Sequence, residues 1–448
     1  GSGQPITPTH PPPPGDQSPP PPLAQDRPQA RPARRHAVVA GAIGNMLEWY
    51  DFAAYGYFSA VIGRNFFPSD NHTTSLLSAF AVFAAAFFMR PFGGVVFGHI
   101  GDRFGRKAAL VLSAGLMTVS TFAIGCLPTY ETAGLLAPVL LVALRLGQGL
   151  SVGGEYTSSA AFLAETAAPE RRGLVGSLAC VGASAGIMAG SILGVILTSL
   201  LTPEEVGAWG WRIPFLLGIV LGAVISVLRR QMDEGGRPGD APEPDDRSPL
   251  RAAVDLHARD MVRAFVMNLG LAAAFYVVFV YLVTYLHRED GLPDSTAFLL
   301  NTIAMAVLTA AIPLMGALSD RIGRRTLLAL STGGLALFSW PLFALIATER
   351  PGLILAAQVV FAVLIAGYSA VLPTALVEMF EQRSRCTAVA ISYNASMALV
   401  GGTAPMAATW IVHRLAWPTG PGLYIGGLAL VSLAAILTMR DASGRPLA

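Results

Sequence analysis

Apolar residues run along this chain in long segments that are separated by short polar loops. Each segment holds roughly 20 residues or more, which is the length that a helix needs to cross the hydrocarbon core of a bilayer. Lipid offers the backbone no hydrogen-bond partners, and the segments are about twice as long as barrel strands need to be. The pattern therefore predicts an all-α membrane protein.

The apolar segments predict twelve transmembrane helices in two halves of six. They span residues 37–61, 75–98, 108–127, 136–163, 172–200, 211–229, 262–285, 296–318, 326–347, 353–378, 386–411 and 421–439. The predicted regions are a disordered Pro-rich cytoplasmic tail (1–36), an N-terminal half (37–229), a cytoplasmic linker (230–261), a C-terminal half (262–440) and a short cytoplasmic tail (441–448).

Composition and charge agree with a membrane location. The chain is 53% hydrophobic and 13% charged, with a formal charge of +2, which does not suggest nucleic-acid binding. Most arginines fall in loops on the side of the amino terminus, so the positive-inside rule places both termini in the cytoplasm and the chain in the inner membrane as a multi-pass protein. The sequence has no Walker-type loop, nucleophile motif or cluster of metal ligands, so neither an enzyme nor a cofactor is predicted.

An internal repeat connects the two halves. The loop GHIGDRFGRK at 98–107, after the second helix, returns as GALSDRIGRR at 316–325, after the eighth helix. A weaker repeat links Glu165 and the following Arg171 and Arg172 to Glu378 and the following Arg383 and Arg385. Two matching six-helix halves are typical of transporters that hold their substrate near the midplane between them.

The two loops resemble the signature of the major facilitator superfamily, and RLGQGLSVGGEY at 145–156 is similar to its helix-four pattern. Three further stretches, GNMLEWYDF at 44–52, RPFGG at 90–94 and WGWRIPF at 209–215, resemble the metabolite:proton symporter family. Members of that family carry 2-oxoglutarate, shikimate, citrate, or proline and glycine betaine. The resemblance covers about residues 37–447 and implies the major facilitator fold, alternating access and proton-coupled uptake of a small carboxylate-bearing metabolite.

Helix eleven, with SYNAS at 392–396 and GGTAP at 401–405, is closer to the proline and betaine branch of that family. The chain stops soon after Arg445 and does not show the long carboxy-terminal coiled coil of the osmosensing betaine carriers. Osmotic regulation by that device is therefore not expected.

Charged residues at bilayer depth are costly, so each one in a spanning helix is a functional candidate. Glu48 and Asp51 lie on one face of helix one, Arg90 lies in helix two and Arg145 in helix four, all near mid-depth. Two neighbouring carboxylates on a desolvated face cannot both ionise cheaply. We therefore expect Glu48 or Asp51, with Arg145, to couple transport to protons; the alternative is a permanent ion pair that ties helices one and four together.

The expected substrate contacts are arginines and polar or aromatic side chains of both halves. Arg90 is assigned either to a substrate carboxylate, which a guanidinium binds bidentately, or to a structural ion pair. Aromatic faces attract quaternary ammonium groups, although aromatic residues in spanning helices also simply pack. The full set of predicted substrate-binding residues is Arg90, Arg145, Gln148, Tyr276, Tyr393 and Asn394.

The repeated loops predict a cytoplasmic gate made of ion pairs that hold this side shut while the site faces outward. The alternative is that their positive charge only fixes the topology. The predicted gate residues are Asp102, Arg103, Arg106, Glu155, Glu165, Asp320, Arg321, Arg324 and Glu378.

The sequence thus favours a proton-coupled symporter that takes up a zwitterion or an organic acid, driven by the proton gradient. The expected partners are the small-molecule substrate, protons and the lipid bilayer, and the expected state is a monomer. Two alternatives remain open, namely a proton-coupled exporter of drugs or metabolites and a transporter-like nutrient sensor. An exporter needs a broad apolar pocket and a sensor needs a sizeable structured cytoplasmic domain.

Overall fold

A computed structural model describes residues 45–104, 106–153, 155–230, 249–381 and 385–447. The predicted N-terminal tail, the start of helix one and most of the predicted linker lie outside these ranges. The side chains of Asp102, Arg103 and Arg106 also lie outside the described part of the structure.

The N-terminal half contains ten helices among its described residues. They are α1 (45–57), α2 (Ser59–Phe66), α3 (His72–Phe104), α4 (Arg106–Cys126), α5 (Tyr130–Ala133), α6 (Leu136–Ser151), α7 (Glu155–Thr166), α8 (Arg172–Leu200), α9 (Pro203–Ala208) and α10 (Ile213–Arg230). The short helices α5 and α9 connect longer neighbours, and a 3₁₀ turn precedes both α8 and α10.

The C-terminal half follows the same plan with α-helices and two π-helical segments. The α-helices are α11 (Pro249–Tyr276), α12 (Leu282–Arg288), α13 (Asp294–Ile322), α14 (Arg324–Ile346), α15 (Pro351–Met379), α16 (Arg385–Ser396), α17 (Ala404–Arg414) and α18 (Gly420–Leu437). The π segment Val277–Tyr281 joins α11 to α12, and the π segment Met397–Gly401 joins α16 to the turn before α17.

The prediction of an all-helical membrane fold is confirmed. Nine helices among the described residues are long and apolar enough to cross a membrane. Shorter apolar helices at Val111–Cys126 and Gly210–Val224, together with the α1–α2 pair, occupy the other predicted positions. The ends agree closely at α8, which covers the predicted 172–200.

Four of the predicted helices are interrupted, and the sequence pattern did not indicate this. Helix one is interrupted by a turn at Phe58, helix four by a turn at Val152 and Gly153, and helices seven and eleven by the π segments. A π segment widens the helix by one residue and commonly marks a functional site. In addition, the part of the predicted linker from Pro249 onward is helical and continuous with helix seven, with a kink at His257.

The two halves touch along α8 and α13, where small residues let the helices approach closely. A side-chain carbon on Gly316 would lie 2.6 Å from the carbonyl oxygen of Gly173. Further along the same pair, the hydroxyls of Ser191 and Thr302 are 2.8 Å apart. Near the far end, Asn301 donates a 2.9 Å hydrogen bond to the hydroxyl of Tyr57. The halves therefore meet along most of the length of this helix pair.

The segment after α18 folds back onto the predicted cytoplasmic side. The Ser443 hydroxyl accepts a hydrogen bond from the backbone N–H of Arg324, and an Asp441 carboxylate oxygen accepts one from that of Arg325. Burial alone would raise the pKa of Asp441, but hydrogen bonds from Ser443 and from these amides lower it below its ordinary value. The residues 438–447 thus cap the amino terminus of α14.

Candidate functional site

A buried hydrogen-bonded chain crosses the interior of the N-terminal half. Thr121 of α4 donates to Oδ2 of Asp51 at 2.6 Å and accepts from Nε2 of Gln148 at 2.8 Å. The other end of the Gln148 amide accepts from Nη1 of Arg145 at 2.7 Å. All four side chains are fully enclosed. The predicted partners Asp51 and Arg145 are therefore joined through two neutral side chains. We call these four residues the coupling chain.

The guanidinium of Arg145 is held by aromatic rings as well as by Gln148. Its central carbon lies 4.2 Å from the ring centre of Tyr55 and 4.8 Å from that of Phe52. Such contacts stabilise a cation through the negative face of the ring. Its Nε has no hydrogen-bond partner among the described groups. Arg145 thus keeps one donor that a further acceptor could use.

Arg90 is a second buried arginine that packs against aromatic rings, one of which it shares with Arg145. Its central carbon is 4.2 Å from the ring centre of Phe87, 4.6 Å from that of Phe52 and 5.6 Å from that of Trp49. The side chain is 1% exposed, and its Nε and Nη2 donate to no group in the described part of the chain. A buried guanidinium with two unused donors suits a carboxylate that arrives from outside the protein. The ring of Phe52 contacts both Arg90 and Arg145.

Glu48 and the predicted aromatic residues belong to the interface between the halves. Glu48 is buried in α1. The adjacent Trp49 stacks on Tyr276 with ring centres 6.3 Å apart, and Tyr156 lies 5.2 Å from Tyr393, so rings of the two halves contact each other beside Glu48. The amide of Asn394 donates to the carbonyl of Gly153 at 3.1 Å, which ties α16 to the break in helix four.

A cavity of about 30 Å³ lies between the halves. Its wall includes the rings of Trp49, Tyr156, Phe275 and Tyr393, which are contributed by α1, α7, α11 and α16, and the thiol of Cys180. A volume of this size accommodates water but not an amino-acid-sized solute.

The predicted cytoplasmic side is closed by ion pairs between the halves. Arg385 of α16 contacts Glu165 of α7 at 2.9 Å, and Arg172 of α8 contacts Glu378 of α15 at 3.1 Å. Arg324 adds a 3.3 Å contact to Glu378. Each glutamate and the arginine seven residues after it thus pair with the other half. We call these five residues the gate cluster.

Asp320 completes this closure from α13. Its carboxylate oxygens accept hydrogen bonds from the backbone N–H groups of Gly173 at 2.8 Å and Leu174 at 3.0 Å, at the start of α8. It also contacts Arg324 at 2.7 Å. A carboxylate at a helix amino terminus compensates the partial positive charge there. Asp320 therefore holds the two halves together directly.

The other predicted gate residues are placed differently. The side chain of Arg321 is exposed and takes part in none of the ion pairs seen among the described residues, so the structure gives it no gate contact. Glu155 begins α7, beside the break in helix four. Asp102, Arg103 and Arg106 have undescribed side chains, so their predicted roles stay predictions.

Sequence reasoning missed several residues of these clusters. Arg172 and Arg385 were identified in the sequence only as part of the weaker repeat and were not predicted as gate residues. Each follows a predicted gate glutamate by seven residues, and this shared spacing could have identified them. Thr121 carries no charge and gave no signal. Trp49 and Tyr156 flank predicted site residues in the motifs at 44–52 and 145–156, and that position was their only signal.

Comparison with known proteins gives consistent matches over nearly the whole chain. The profile of the family described as "Sugar (and other) transporter" matches residues 37–237 and 250–447. A "Putative proline/betaine transporter" of Staphylococcus aureus (strain COL) is 37% identical, over 90% of this chain and 87% of that protein. The "Proline/betaine transporter" of Escherichia coli (strain K12) is 33% identical, over 92% of this chain and 85% of that protein.

Solved structures of similar fold cover the chain equally well. The MFS (major facilitator superfamily) proton:xylose symporter XylE, bound to 6-bromo-6-deoxy-D-glucose, superposes with a TM-score of 0.74 at 15% identity, over 93% of this chain and 98% of that one. A partially occluded inward-open form of XylE from E. coli superposes with a TM-score of 0.71 at 16% identity, over 92% and 99%. At this identity the likeness shows the fold.

Proposed function

Because the chain belongs to the sugar (and other) transporter family of the major facilitator superfamily, we propose that it is a proton-coupled symporter which takes up a small zwitterion bearing a carboxylate across the cytoplasmic membrane. The observation that carries this proposal is the coupling chain. It connects a buried carboxylate to a buried guanidinium by hydrogen bonds of 2.6 to 2.8 Å.

Asp51 can gain or lose one proton while the hydrogen bonds of the coupling chain stay intact. Oδ2 of Asp51 accepts from Thr121, while Oδ1 has no hydrogen-bond partner among the described groups. A proton placed on Oδ1 leaves the bond from Thr121 intact. It nevertheless removes the negative charge that compensates Arg145, and an uncompensated buried charge is costly. Protonation of Asp51 therefore makes this region attractive to an anion.

The solute carboxylate is the anion that we assign to this role. Arg90 supplies two unused donors beside Trp49, a residue of the cavity wall, and Phe52 contacts both Arg90 and Arg145. If protonation of Asp51 favours carboxylate binding, then carboxylate binding favours protonation by the same factor. This reciprocity is the thermodynamic requirement for symport. The similarity to two bacterial proteins named as proline/betaine transporters supports a zwitterion such as proline or a betaine.

In an alternating-access cycle, we assign the gate cluster to the opening and closing of the cytoplasmic side. With the gate cluster intact, the predicted cytoplasmic side is shut. Solute and proton enter from the opposite side, and the loaded protein opens to the cytoplasm when the gate ion pairs separate.

The test is uptake by purified protein in proteoliposomes. Labelled proline, glycine betaine, 2-oxoglutarate, citrate and shikimate are each supplied with and without an inward proton gradient. We expect the gradient to stimulate the uptake of a zwitterion. In Asp51→Asn, the hydrogen bond from Thr121 is retained, but the ionisable group is lost. This variant should still exchange labelled for unlabelled solute yet show no response to the gradient.

Asp70→Asn is the matched control, because Asp70 is an exposed carboxylate between α2 and α3. It should keep the response to the gradient. Stimulated uptake of an organic acid in place of a zwitterion would correct the substrate, and gradient-driven efflux would favour the exporter. Full gradient stimulation in Asp51→Asn would contradict the role of the coupling chain.

A further inference from the structure

We infer that the coupling chain transmits the protonation of Asp51 to Arg145 by reversing the direction of its hydrogen bonds, with Thr121 and Gln148 as the positioning residues of this relay. The inference rests on the proposed proton symport and specifies how the same site links the proton to the solute. It is carried by the donors and acceptors of the chain, which allow only one direction while Arg145 is bonded to Gln148.

The direction of the hydrogen bonds follows from Arg145. A guanidinium donates and never accepts, so the Gln148 atom that lies 2.7 Å from its Nη1 is the amide oxygen. The amide nitrogen of Gln148 then lies 2.8 Å from the Thr121 hydroxyl oxygen and donates to it. The single proton of that hydroxyl is left for Oδ2 of Asp51, at 2.6 Å. Every bond of the chain therefore runs from Arg145 towards Asp51, and Oδ2 has to be an acceptor.

Protonation can change this direction because the two carboxylate oxygens of Asp51 have different neighbours. Oδ1 has no hydrogen-bond partner among the described groups, and a proton there leaves all three bonds as they are. A half-turn of the carboxyl group brings the protonated oxygen to Thr121, where it donates instead of accepting. The hydroxyl of Thr121 then turns its own proton towards Gln148. The amide of Gln148 has to turn over, because only its oxygen can accept this proton.

The reversed chain releases Arg145. The amide nitrogen of Gln148 then faces Nη1, and two donors do not bond to each other. Nε of Arg145 already lacks a partner in the described part of the chain, so the guanidinium offers both nitrogens to a carboxylate. The rings of Tyr55 and Phe52 keep it in place meanwhile. A bound carboxylate favours the reversed chain in turn, because it takes the donor of the Gln148 oxygen and leaves that oxygen in need of the Thr121 proton.

The surroundings of Asp51 allow the carboxyl group to turn. The helices α4 and α10 face it with Thr121 and Gly218, and a side-chain carbon added to Gly218 would lie 3.6 Å from Oδ1. The glycine therefore leaves space beside this oxygen. The buried titratable and charged side chains of the same region come from α1, α3 and α6, and they are Glu48, Tyr50, Tyr55, Arg90 and Arg145. The hydrogen-bonded chain reaches Arg145 among them.

The first experiment measures how the affinity for solute depends on pH. Labelled proline and labelled glycine betaine are each bound to the purified protein at about pH 5 and about pH 9, and we call the ratio of the two dissociation constants the coupling ratio. The parent protein should bind solute about tenfold or more tightly at the lower pH, since a buried acceptor without a donor carries a cost of this size. In Asp51→Asn the coupling ratio should be close to one.

Variants of Thr121 distinguish the relay from an effect of charge alone. Thr121→Val keeps the shape of the side chain but removes the hydroxyl, so its coupling ratio should fall at least about threefold below that of the parent protein. Thr121→Ser keeps the hydroxyl and should keep the ratio. Thr118→Val is the matched control, because Thr118 lies on the same helix and donates to the carbonyl of Ala114 at 2.8 Å, outside the chain. Melting temperatures establish that each variant is folded.

The second experiment observes the carboxyl group of Asp51 by infrared spectroscopy at the lower pH, with Asp51→Asn to identify its band. Without solute, the carbonyl oxygen of the protonated group accepts a hydrogen bond from Thr121. After the reversal, the carbonyl oxygen lies on the side of Gly218, and a carbonyl without a donor absorbs at higher frequency. We expect solute binding to raise the frequency of this band in the parent protein. The sign of this shift tests the relay independently of the Thr121 variants.

The outcomes separate the relay from the proposed function. A coupling ratio in folded Thr121→Val equal to that of the parent protein overturns the relay and leaves coupling through charge alone. A frequency of the Asp51 band that is unchanged or lowered by solute also overturns it. If neither solute binds, or if the parent protein binds both equally well at the two pH values, the proposed symport fails and the relay fails with it.

Discussion

Replacement of Glu378 by glutamine should open the predicted cytoplasmic side much more than the same replacement at Glu165. Both glutamates belong to the gate cluster and occupy equivalent positions in the two halves. Their surroundings differ, because the side chain of Glu378 is 3% exposed and that of Glu165 is 34% exposed. In addition, Glu378 contacts two arginines within the described part of the chain, whereas Glu165 contacts one there.

The expected magnitudes follow from burial. Loss of one partner from a buried ion pair costs about 3 to 5 kcal/mol. The lower limit applies to Glu378→Gln, because Arg172 keeps hydrogen bonds to two backbone carbonyls and Arg324 keeps Asp320. About 3 kcal/mol corresponds to a shift of roughly 100-fold in the ratio of closed to open protein. A partly exposed pair is worth about 1 kcal/mol or less, so Glu165→Gln should shift the ratio at most about fivefold.

The assay is a distance measurement between spin labels on the two halves. Arg171 and Arg321 are exposed on either side of the gate and tolerate labels. The exposed native cysteines, Cys126 and Cys386, are replaced by serine. Glu378→Gln should transfer most of the distance distribution to a longer, inward-open component. Glu165→Gln should leave the short component dominant.

Equal shifts in the two variants would refute this reasoning, because burial would then not determine the strength of the gate. An unchanged distribution in Glu378→Gln would also refute it. Such a result would mean that the packing of α8 against α13 closes this side without the ion pairs.

Three further predictions concern other parts of the molecule. Gly149→Ala should destabilise the protein by about 1 to 3 kcal/mol, because the new methyl group would overlap the backbone of α3. Gly115→Ala has open space around the new methyl group and should be neutral, and thermal unfolding compares the two variants. Burial and then two neighbouring glutamates raise the pKa of Asp290 to about 7, so the native state holds a proton that the unfolded chain releases near pH 4, and stability should fall as pH rises from about 4 to 7. Asp290→Asn should therefore melt higher than the parent protein at pH 8 and equally at pH 4, and a difference that is the same at both pH values would contradict this. Phe52→Leu removes the ring that contacts both Arg90 and Arg145. This variant should still exchange solute, but the stimulation of uptake by the proton gradient should weaken about fivefold. Unchanged stimulation of uptake would exclude a role for this ring.

The helices could be predicted from the sequence because length and hydropathy are local properties. The limits of α8 agree with the apolar segment from which they were predicted. The π segment Val277–Tyr281 could not be predicted in this way, since its residues are as apolar as those around it. Gly56 of α1 packs directly against Val280 within that segment. The interruption is therefore a property of packing between the halves.

The same distinction between local properties and tertiary packing applies to the candidate site. The depth of Glu48 and Asp51 in the membrane follows from their positions in a helix, but their neighbours depend on how that helix is rotated in the bundle. Asp51 consequently reaches Arg145 through Thr121, a connection that charge alone does not suggest. The repeated glutamate and arginine pairs are visible in the sequence. Their exchange between the halves, as in Arg385 with Glu165, is a tertiary feature.

The folded segment 438–447 has a practical consequence for work on this transporter. Arg172 of the gate cluster donates a 3.0 Å hydrogen bond to the backbone carbonyl of Arg445, and Asp441 and Ser443 cap α14. Any fluorescent protein, affinity tag or crystallisation chaperone attached directly after residue 447 begins only a few residues from the gate cluster. We expect such a fusion to pull on the gate cluster and to alter the rates of the proposed opening. Reporters attached elsewhere, for example in the loop between α2 and α3, would measure transport without that mechanical load.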